Sequence, residues 1–277
     1  MRVAYRAREM SNFDSYYFES DVPCLRNRPN RHGDGGIIDH LAPPFSIFNY
    51  PGKGGPKYTP KRKLTEMELN SATTHVLLNC PEVQPYHSYF VGTYGNDVVY
   101  SRFSDWFKEH VHNPVNVVDV VNVQFLRDIS WGPDHRVRIM SKYFINGYKF
   151  HTEEWSKGKK TNNSGVWVKG EGDINYYGVL QEIIELEYIV GWPKKKLVIF
   201  RCKWYDPDSS GTKVHPQYKI IEINHTRQYR FYDLFIIAQN VKQVYYVPYP
   251  LCKNKSSWRV VIKTKPVGEW RLRMHWM

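Results

Sequence analysis

Residues 197–204 constrain the fold more than any other segment, because apolar and basic side chains alternate along them. Arg201 and Lys203 fall on one side of the extended chain. The side chains on the other side are apolar: Val198, Phe200, Cys202 and Trp204. A period of two is that of a β-strand with one face in a core and the other in water. The segment therefore predicts a half-buried strand, and the fold must contain a sheet.

Four further segments of the last hundred residues have strand character and are separated by turn residues. They are residues 179–188, 218–223, 243–247 and 258–262. Aromatic residues, which favour strands, make up 16% of the chain. Five short strands without a long helix predict a small closed or nearly closed barrel of the SH3-like kind, at about residues 176–266.

Three parts of different composition make up the chain. Residues 1–63 hold a polar arm and a linker rich in proline and glycine. Residues 64–134 have helical periodicity and predict a small helical module. Residues 135–277 change to a period of two and predict a β-rich domain. The predicted fold class is therefore α+β, with a small helical N-terminal half followed by a β-rich C-terminal SH3-like barrel.

Local signals place two helices and one hairpin within these parts. Thr65, with Glu68 three residues later, has the spacing of a capping box and predicts a helix over 65–79. The apolar face of residues 102–111 predicts a second helix. The pair Asn146-Gly147 predicts a hairpin turn, because both residues tolerate positive φ.

The positive charge is concentrated in the last part of the chain. The formal net charge of the whole chain is +12. Residues 176–277 hold 17 Lys and Arg against 8 Asp and Glu, a net charge of +9, whereas the preceding residues hold 22 against 19, a net charge of +3. A basic domain attracts polyanions, of which nucleic acid is the most common. The alternative is a solvated basic surface that only aids solubility.

Two lysine clusters are the candidate nucleic-acid-binding residues. They are, in order of preference, Lys194, Lys195 and Lys196, then Lys157, Lys159 and Lys160. The first cluster lies between two predicted strands and the second in a polar segment, so both are expected to be exposed. Basic residues elsewhere alternate with aromatic ones, a pattern in which cations meet phosphates and rings stack on bases. The alternative for each such pair is a ring in the core and a lysine in water.

No enzyme motif is found in the sequence. It has no Gly-x-Ser-x-Gly elbow, no phosphate-binding loop and no dinucleotide fingerprint. His110 and His112 form the closest histidine pair, but residues two apart on a helix point in nearly opposite directions. The four cysteines have no Cys-x-x-Cys spacing and predict reduced thiols in an intracellular protein. We expect no catalytic site, metal or cofactor, and no membrane span, because no long apolar run occurs.

Several ordered segments resemble the C-terminal region of plant CACTA (En/Spm-type) transposon proteins, including their C-terminal domain of unknown function. The segments that carry the resemblance are Asn146-Gly147-Tyr148-Lys149-Phe150-His151-Thr152, Asn162-Asn163-Ser164-Gly165-Val166, Tyr176-Tyr177-Gly178-Val179-Leu180, Phe200-Arg201-Cys202-Lys203-Trp204-Tyr205-Asp206 and Gln243-Val244-Tyr245-Tyr246-Val247. With weaker upstream segments, the resemblance covers about residues 13–266. In such proteins a catalytic transposase domain lies further toward the N-terminus, and its counterpart is expected upstream of Met1.

The resemblance does not establish what such a region does. We expect a nuclear, non-catalytic, transposon-derived accessory protein that binds DNA, the transposase or a host protein. The alternative is a domesticated interaction module that takes a host peptide on an apolar groove or sheet edge. A third alternative is a degenerate remnant without a selected function. The sequence also leaves open the oligomeric state and whether Met1 is the native start, a new start in a truncated copy or a gene-model choice.

Overall fold

Helices dominate the chain up to residue 130 and strands dominate it after residue 135, in the part that the structure describes. The computed structural model describes residues 46–48, 52–54, 60–116, 123–170, 174–189, 195–229, 235–249 and 256–266. The predicted arm at residues 1–36 and the candidate site residue Lys194 lie outside these ranges. The observed class, mixed helix and sheet with a β-rich second half, agrees with the prediction.

Five α-helices lie in the described ranges. They are α1 (Glu66–Leu78), α2 (Gln84–Tyr94), α3 (Val99–His112), α4 (Val123–Ser130) and the single turn α5 (Glu153–Ser156). The capping box predicted for α1 is confirmed, because Thr65 Oγ1 accepts from the Glu68 amide at 3.2 Å and the Glu68 carboxylate accepts from the Thr65 amide at 3.0 Å. The second predicted helix is also confirmed as part of α3.

Helices α2 and α4 were not predicted. The helix predicted over 65–79 stops before Pro81 and Pro85, and a proline commonly follows the end of a helix. Pro85 instead occupies the first turn of α2, where a missing N–H leaves no intrahelical hydrogen bond unmade. Phe90 of α2 is buried against Phe103 of α3, at 5.4 Å between ring centroids.

Thirteen strands lie in the described ranges. They are β1 (Lys53–Gly54), β2 (Lys61–Lys63), β3 (Arg136–Met140), β4 (Lys142–Ile145), β5 (Tyr148–His151), β6 (Gly165–Lys169), β7 (Asn175–Tyr188), β8 (Lys195–Trp204), β9 (Thr212–Val214), β10 (Ile221–Asn224), β11 (Phe235–Ile237), β12 (Lys242–Pro248) and β13 (Trp258–Lys263). All five strands predicted for the last hundred residues have a counterpart, as β7, β8, β10, β12 and β13. The strand predicted over 218–223 is confirmed only from Ile221, because the chain turns before it, with a φ of 54° at Lys219.

The strands form two sheets in which all described pairs are antiparallel. The small sheet has the order β1–β4–β5. The large sheet has the order β11–β8–β7–β6–β12–β13–β10–β9, with β3 paired to β7 and β2 paired to β3. Strand β7 therefore organises the large sheet, because it pairs with β8 along one side and with β6 and then β3 along the other.

A register shift in β7 sends its two halves to different neighbours. The pairing with β8 shifts between Leu180 and Glu182, which leaves an extra residue in β7. The shift reverses the alternation, so that Leu180 and Ile183, three residues apart, enter the same core. On the opposite face, Tyr177 precedes the shift and Ile184 follows it, and they enter two different cores.

Three hydrophobic cores fill the space between these layers. The helix core joins α1–α4 to one face of β7, β8 and β11, with Phe103, Phe107 and Ile199 fully buried. The sandwich core lies between the small sheet and the other face of the large sheet. It contains the apolar face predicted for residues 197–204: Val198, Phe200, Cys202 and Trp204. The rolled core lies where the large sheet curls, and includes Tyr177, Ile223 and Val261.

The SH3-like barrel is not confirmed, because no closed barrel forms among the described strands. The sheet curls around the rolled core, but the segments that follow β8 and β10 meet only at an isolated bridge between Tyr205 and Gln228 in the described residues. The physical reason is strand length. Strands β7 and β8 have 14 and 10 residues, and their distal halves leave the curl to pack against the helices. No helix of the described ranges is long and apolar enough to cross a membrane.

Candidate nucleic-acid interface

The outer face of the small sheet carries lysines and rings on neighbouring strands. Strands β4 and β5 form the predicted hairpin, with φ of 50° at Asn146 and 76° at Gly147. This turn sets the register in which Lys142 lies opposite His151 and Phe144 lies opposite Lys149. Because directly paired residues share a face, all four side chains point to the same side. Their neighbours in sequence point inward to the sandwich core.

Strand β1 adds a further lysine to this face. Lys53 lies opposite Phe144 on the side away from β5, so Phe144 lies between Lys53 and Lys149 in one cross-strand row. The ring of Phe144 is half-buried and Lys53 is exposed. The row places a planar apolar group between two cationic side chains, the combination that binds a base and its phosphates.

The turn α5 brings a second ring to the same face. The Trp155 ring centroid lies 4.0 Å from that of His151, and Trp155 is half-buried. Two ammonium groups lie over the indole, with Lys159 Nζ at 2.8 Å and Lys142 Nζ at 4.5 Å from its centroid. We call the set Lys53, Lys142, Phe144, Lys149, Trp155 and Lys159 the lysine platform.

Charge on the lysine platform is unbalanced. None of Lys53, Lys142 and Lys159 has an acidic partner among the described residues. Loss of hydration, and then the charge of Lys142, lower the pKa of Lys159. Like charges that are held together without a counter-ion favour the binding of an anion between them.

His151 lies beneath these cations as a neutral imidazole. Its residue is 3% exposed, and neither ring nitrogen has a hydrogen-bond partner in the described structure. Burial, and then the charges of Lys149, Lys142 and Lys159, lower the pKa of His151 to about 4. The imidazole is therefore uncharged near neutral pH and adds no charge of its own to the lysine platform.

The second predicted lysine cluster divides between paired and unpaired residues. Lys157 Nζ lies 2.5 Å from Glu154 Oε2, and this contact raises the pKa of Lys157. Lys159 belongs to the lysine platform, and Lys160 is the next residue, exposed and without an acidic partner in the described ranges. The structure thus brings Lys159 to an aromatic surface, whereas Lys157 has an acidic partner on the solvent-exposed side of α5.

The first predicted cluster is not the exposed tip that was expected. Lys195 is 8% exposed, with Nζ at 3.4 Å from Asp128 Oδ2 and 4.4 Å from the Phe125 ring centroid. The prediction of exposure is wrong for Lys195, because this residue is already the first of β8 and faces α4. Lys196 is exposed, with Nζ 3.1 Å from Glu185 Oε1. A nucleic-acid contact by Lys194 or Lys196 stays a prediction.

Sequence reasoning missed Lys53, Lys142 and Lys149 as a group. The signal was present, since Lys142 and Phe144 alternate before the Asn146-Gly147 turn and Lys149 follows it. Only the register makes these residues neighbours. No three His, Cys, Asp or Glu side chains of the described ranges lie close enough together to hold a metal ion.

Comparison with known proteins gives one match. Residues 184–261 match the family model described as Domain of unknown function (DUF4216). This span runs from the second half of β7 into β13, so the lysine platform precedes it. No curated protein and no solved structure matches the chain. The shared part is therefore the β7–β13 portion of the large sheet, and the family description carries no activity.

Proposed function

We propose that the chain is a non-catalytic, transposon-derived accessory protein that acts in the nucleus and binds nucleic acid through the lysine platform. The observation that carries the proposal is the indole of Trp155 with two ammonium groups over it and no acidic partner for either. The resemblance to CACTA transposon proteins supports the origin and the compartment. The net charge of +12 supports a polyanionic partner.

The lysine platform suits flexible single-stranded nucleic acid better than a rigid duplex. Phe144 and Trp155 offer two apolar ring faces on one sheet surface, and every base has a π-face that stacks on such rings. The lysines around them neutralise phosphates without reading sequence. We therefore expect binding that tolerates sequence and depends strongly on salt.

Charge reversal tests the proposal. Fluorescence anisotropy of a labelled oligothymidine at low ionic strength compares the natural chain with the double variant Lys142→Glu and Lys159→Glu. The double variant is expected to bind about tenfold more weakly or worse, and the slope of log affinity against log salt falls by about 1.4, since about 0.7 of a counter-ion is released for each lysine contact on a single strand.

The matched control is the double variant Lys61→Glu and Lys63→Glu, which makes the same charge change on β2, a strand that pairs with β3 and lies outside the lysine platform. The affinity of this control variant for the oligonucleotide is expected to lie within about twofold of that of the natural chain, although its net charge changes by the same amount as in the first variant. Equal losses in the two double variants would show that only net charge matters, and would overturn the lysine platform as the site. A peptide-binding module predicts no oligonucleotide binding by any of the three proteins.

A further inference from the structure

A second basic and aromatic surface lies on the opposite face of the large sheet. In β6, Val166 points into the sandwich core and the next residue, Trp167, points to the other side. There Trp167 is half-buried at the margin of the rolled core and stacks on Tyr177, with 6.5 Å between ring centroids and 25° between planes. The small sheet, and with it the lysine platform, covers the face toward which Val166 points.

Three lysines surround Trp167 on this face. Lys242 of β12 is its direct cross-strand partner, with Nζ 5.1 Å from the indole centroid. Lys263 of β13 lies opposite Val244, which shares the face of Lys242, and its Nζ is 4.0 Å from the same centroid. Lys169 lies two residues beyond Trp167 along β6 and therefore on the same side. We call Trp167, Lys169, Lys242 and Lys263 the Trp167 surface.

The three lysines of the Trp167 surface are exposed and lack acidic partners among the described residues. Burial and then the charge of Lys242 lower the pKa of Lys263, so the two ammonium groups are close enough to repel each other. Three strands contribute to this cluster, and their ladder hydrogen bonds hold the lysines at fixed separations. An anion between the ammonium groups relieves the repulsion.

We infer that the Trp167 surface is a second binding site for single-stranded nucleic acid. Its lysines bind phosphates, and the indole stacks on a base once the ammonium groups move from the ring to the phosphates. The inference rests on the proposed function for the class of ligand, but it concerns different residues on the other side of the molecule. One chain then binds two segments of single-stranded nucleic acid, one on the lysine platform and one on the Trp167 surface.

Binding stoichiometry tests this inference separately from the proposed function. Isothermal titration with an oligothymidine of about eight nucleotides is expected to give two oligonucleotides per chain. The double variant Lys242→Glu and Lys263→Glu is expected to bind one. The double variant Lys142→Glu and Lys159→Glu is also expected to bind one, about tenfold more weakly because only the Trp167 surface remains, and the combination of all four substitutions none.

Several outcomes overturn the inference. A stoichiometry and affinity that are unchanged by Lys242→Glu and Lys263→Glu, with loss of binding in the lysine-platform variant, removes the second site and leaves the proposed function standing. Absence of binding by the natural chain removes both. Equal binding of a duplex of the same length contradicts stacking on Trp167. The Lys61→Glu and Lys63→Glu protein, expected to bind two oligonucleotides, is the control for net charge.

Discussion

At the scale of single residues, Lys195 and Asp128 form an ion pair between β8 and α4 from which most water is excluded. Their side chains are 8% and 7% exposed, and Asp128 also accepts a hydrogen bond from Gln124 at 2.9 Å. A buried charge is tolerable only when it is paired, so removing one partner leaves the other with an uncompensated loss of hydration. The pair therefore has a structural role in joining helix to sheet.

Replacing Asp128 by Ala tests that role. We expect a loss of about 3–5 kcal/mol in the free energy of unfolding, because the Lys195 ammonium remains buried without its partner. Urea denaturation followed by circular dichroism measures it. The control is Lys196→Ala, which breaks the more exposed contact with Glu185 and should change stability by less than about 1 kcal/mol. A similar small change for both variants would contradict the structural role of the pair.

His151 makes a second prediction at this scale, one of pH dependence. Its pKa in the folded chain is about 4, and in the unfolded chain it is about 6.5. Between these values the unfolded chain binds more protons, so stability is full above the unfolded pKa and is lost as the pH falls toward the folded pKa. The difference amounts to about 2 kcal/mol between about pH 7.5 and pH 5.

Urea denaturation at several pH values tests whether His151 causes this pH dependence of stability. The variant His151→Phe should lose that part of the pH dependence, whereas His135→Gln, at an exposed position, should keep it. An identical pH dependence in the natural chain and His151→Phe would show that His151 is not held neutral by burial.

At the scale of elements, the Asn146-Gly147 turn determines which side chains meet on the lysine platform. Both residues have positive φ, the geometry that matches the twist of a two-residue hairpin. A slip of one residue would turn Lys142 and Lys149 inward and Tyr143 and Phe150 outward. The turn thus connects a two-residue sequence signal to the proposed binding surface.

Replacing Gly147 by Ala should cost about 1 kcal/mol of stability, because φ is 76° there and a Cβ disfavours that conformation. The matched control is Gly92→Ala in the last turn of α2, where an added Cβ meets nothing within 4 Å. That variant should be stabilised by about 0.5–1 kcal/mol, because alanine favours a helix. Thermal and urea denaturation measure the stability of both variants. A destabilised Gly92→Ala together with an unaffected Gly147→Ala would contradict the helical environment assigned to Gly92 and the positive φ assigned to Gly147.

The sequence predicts individual elements well where the signal is local. The alternation over residues 197–204 identifies β8 and its buried face, and Thr65 with Glu68 identifies the start of α1. The proline signal is ambiguous at α2, because prolines occur both after the end of one helix and in the first turn of the next. The sequence also does not predict the β7 register shift, because an extra residue in one strand can be recognised only when its pairing with the neighbouring strand is known.

At the scale of the whole molecule, contacts between residues that are distant in sequence determine the features that local sequence signals do not predict. The predicted barrel does not close, because β7 and β8 continue past the curl into contact with helices that lie far away in sequence. Lys195 is buried because α4, which was not predicted, covers the start of β8. The candidate interface changes for the same reason, from a run of neighbouring lysines to residues that only the sheet register brings together.

Photochemical cross-linking tests most directly whether nucleic acid lies on the lysine platform. An oligonucleotide with photoreactive uridines is bound at low salt, irradiated and digested with the protein, and the adducts are located by mass spectrometry. We predict adducts on Phe144 and Trp155, which are lost in the variant Lys142→Glu and Lys159→Glu, and adducts on Trp167, which that variant keeps. Adducts confined to other surfaces, such as the exposed Trp131, or Phe144 and Trp155 adducts that this variant leaves unchanged, would contradict the account.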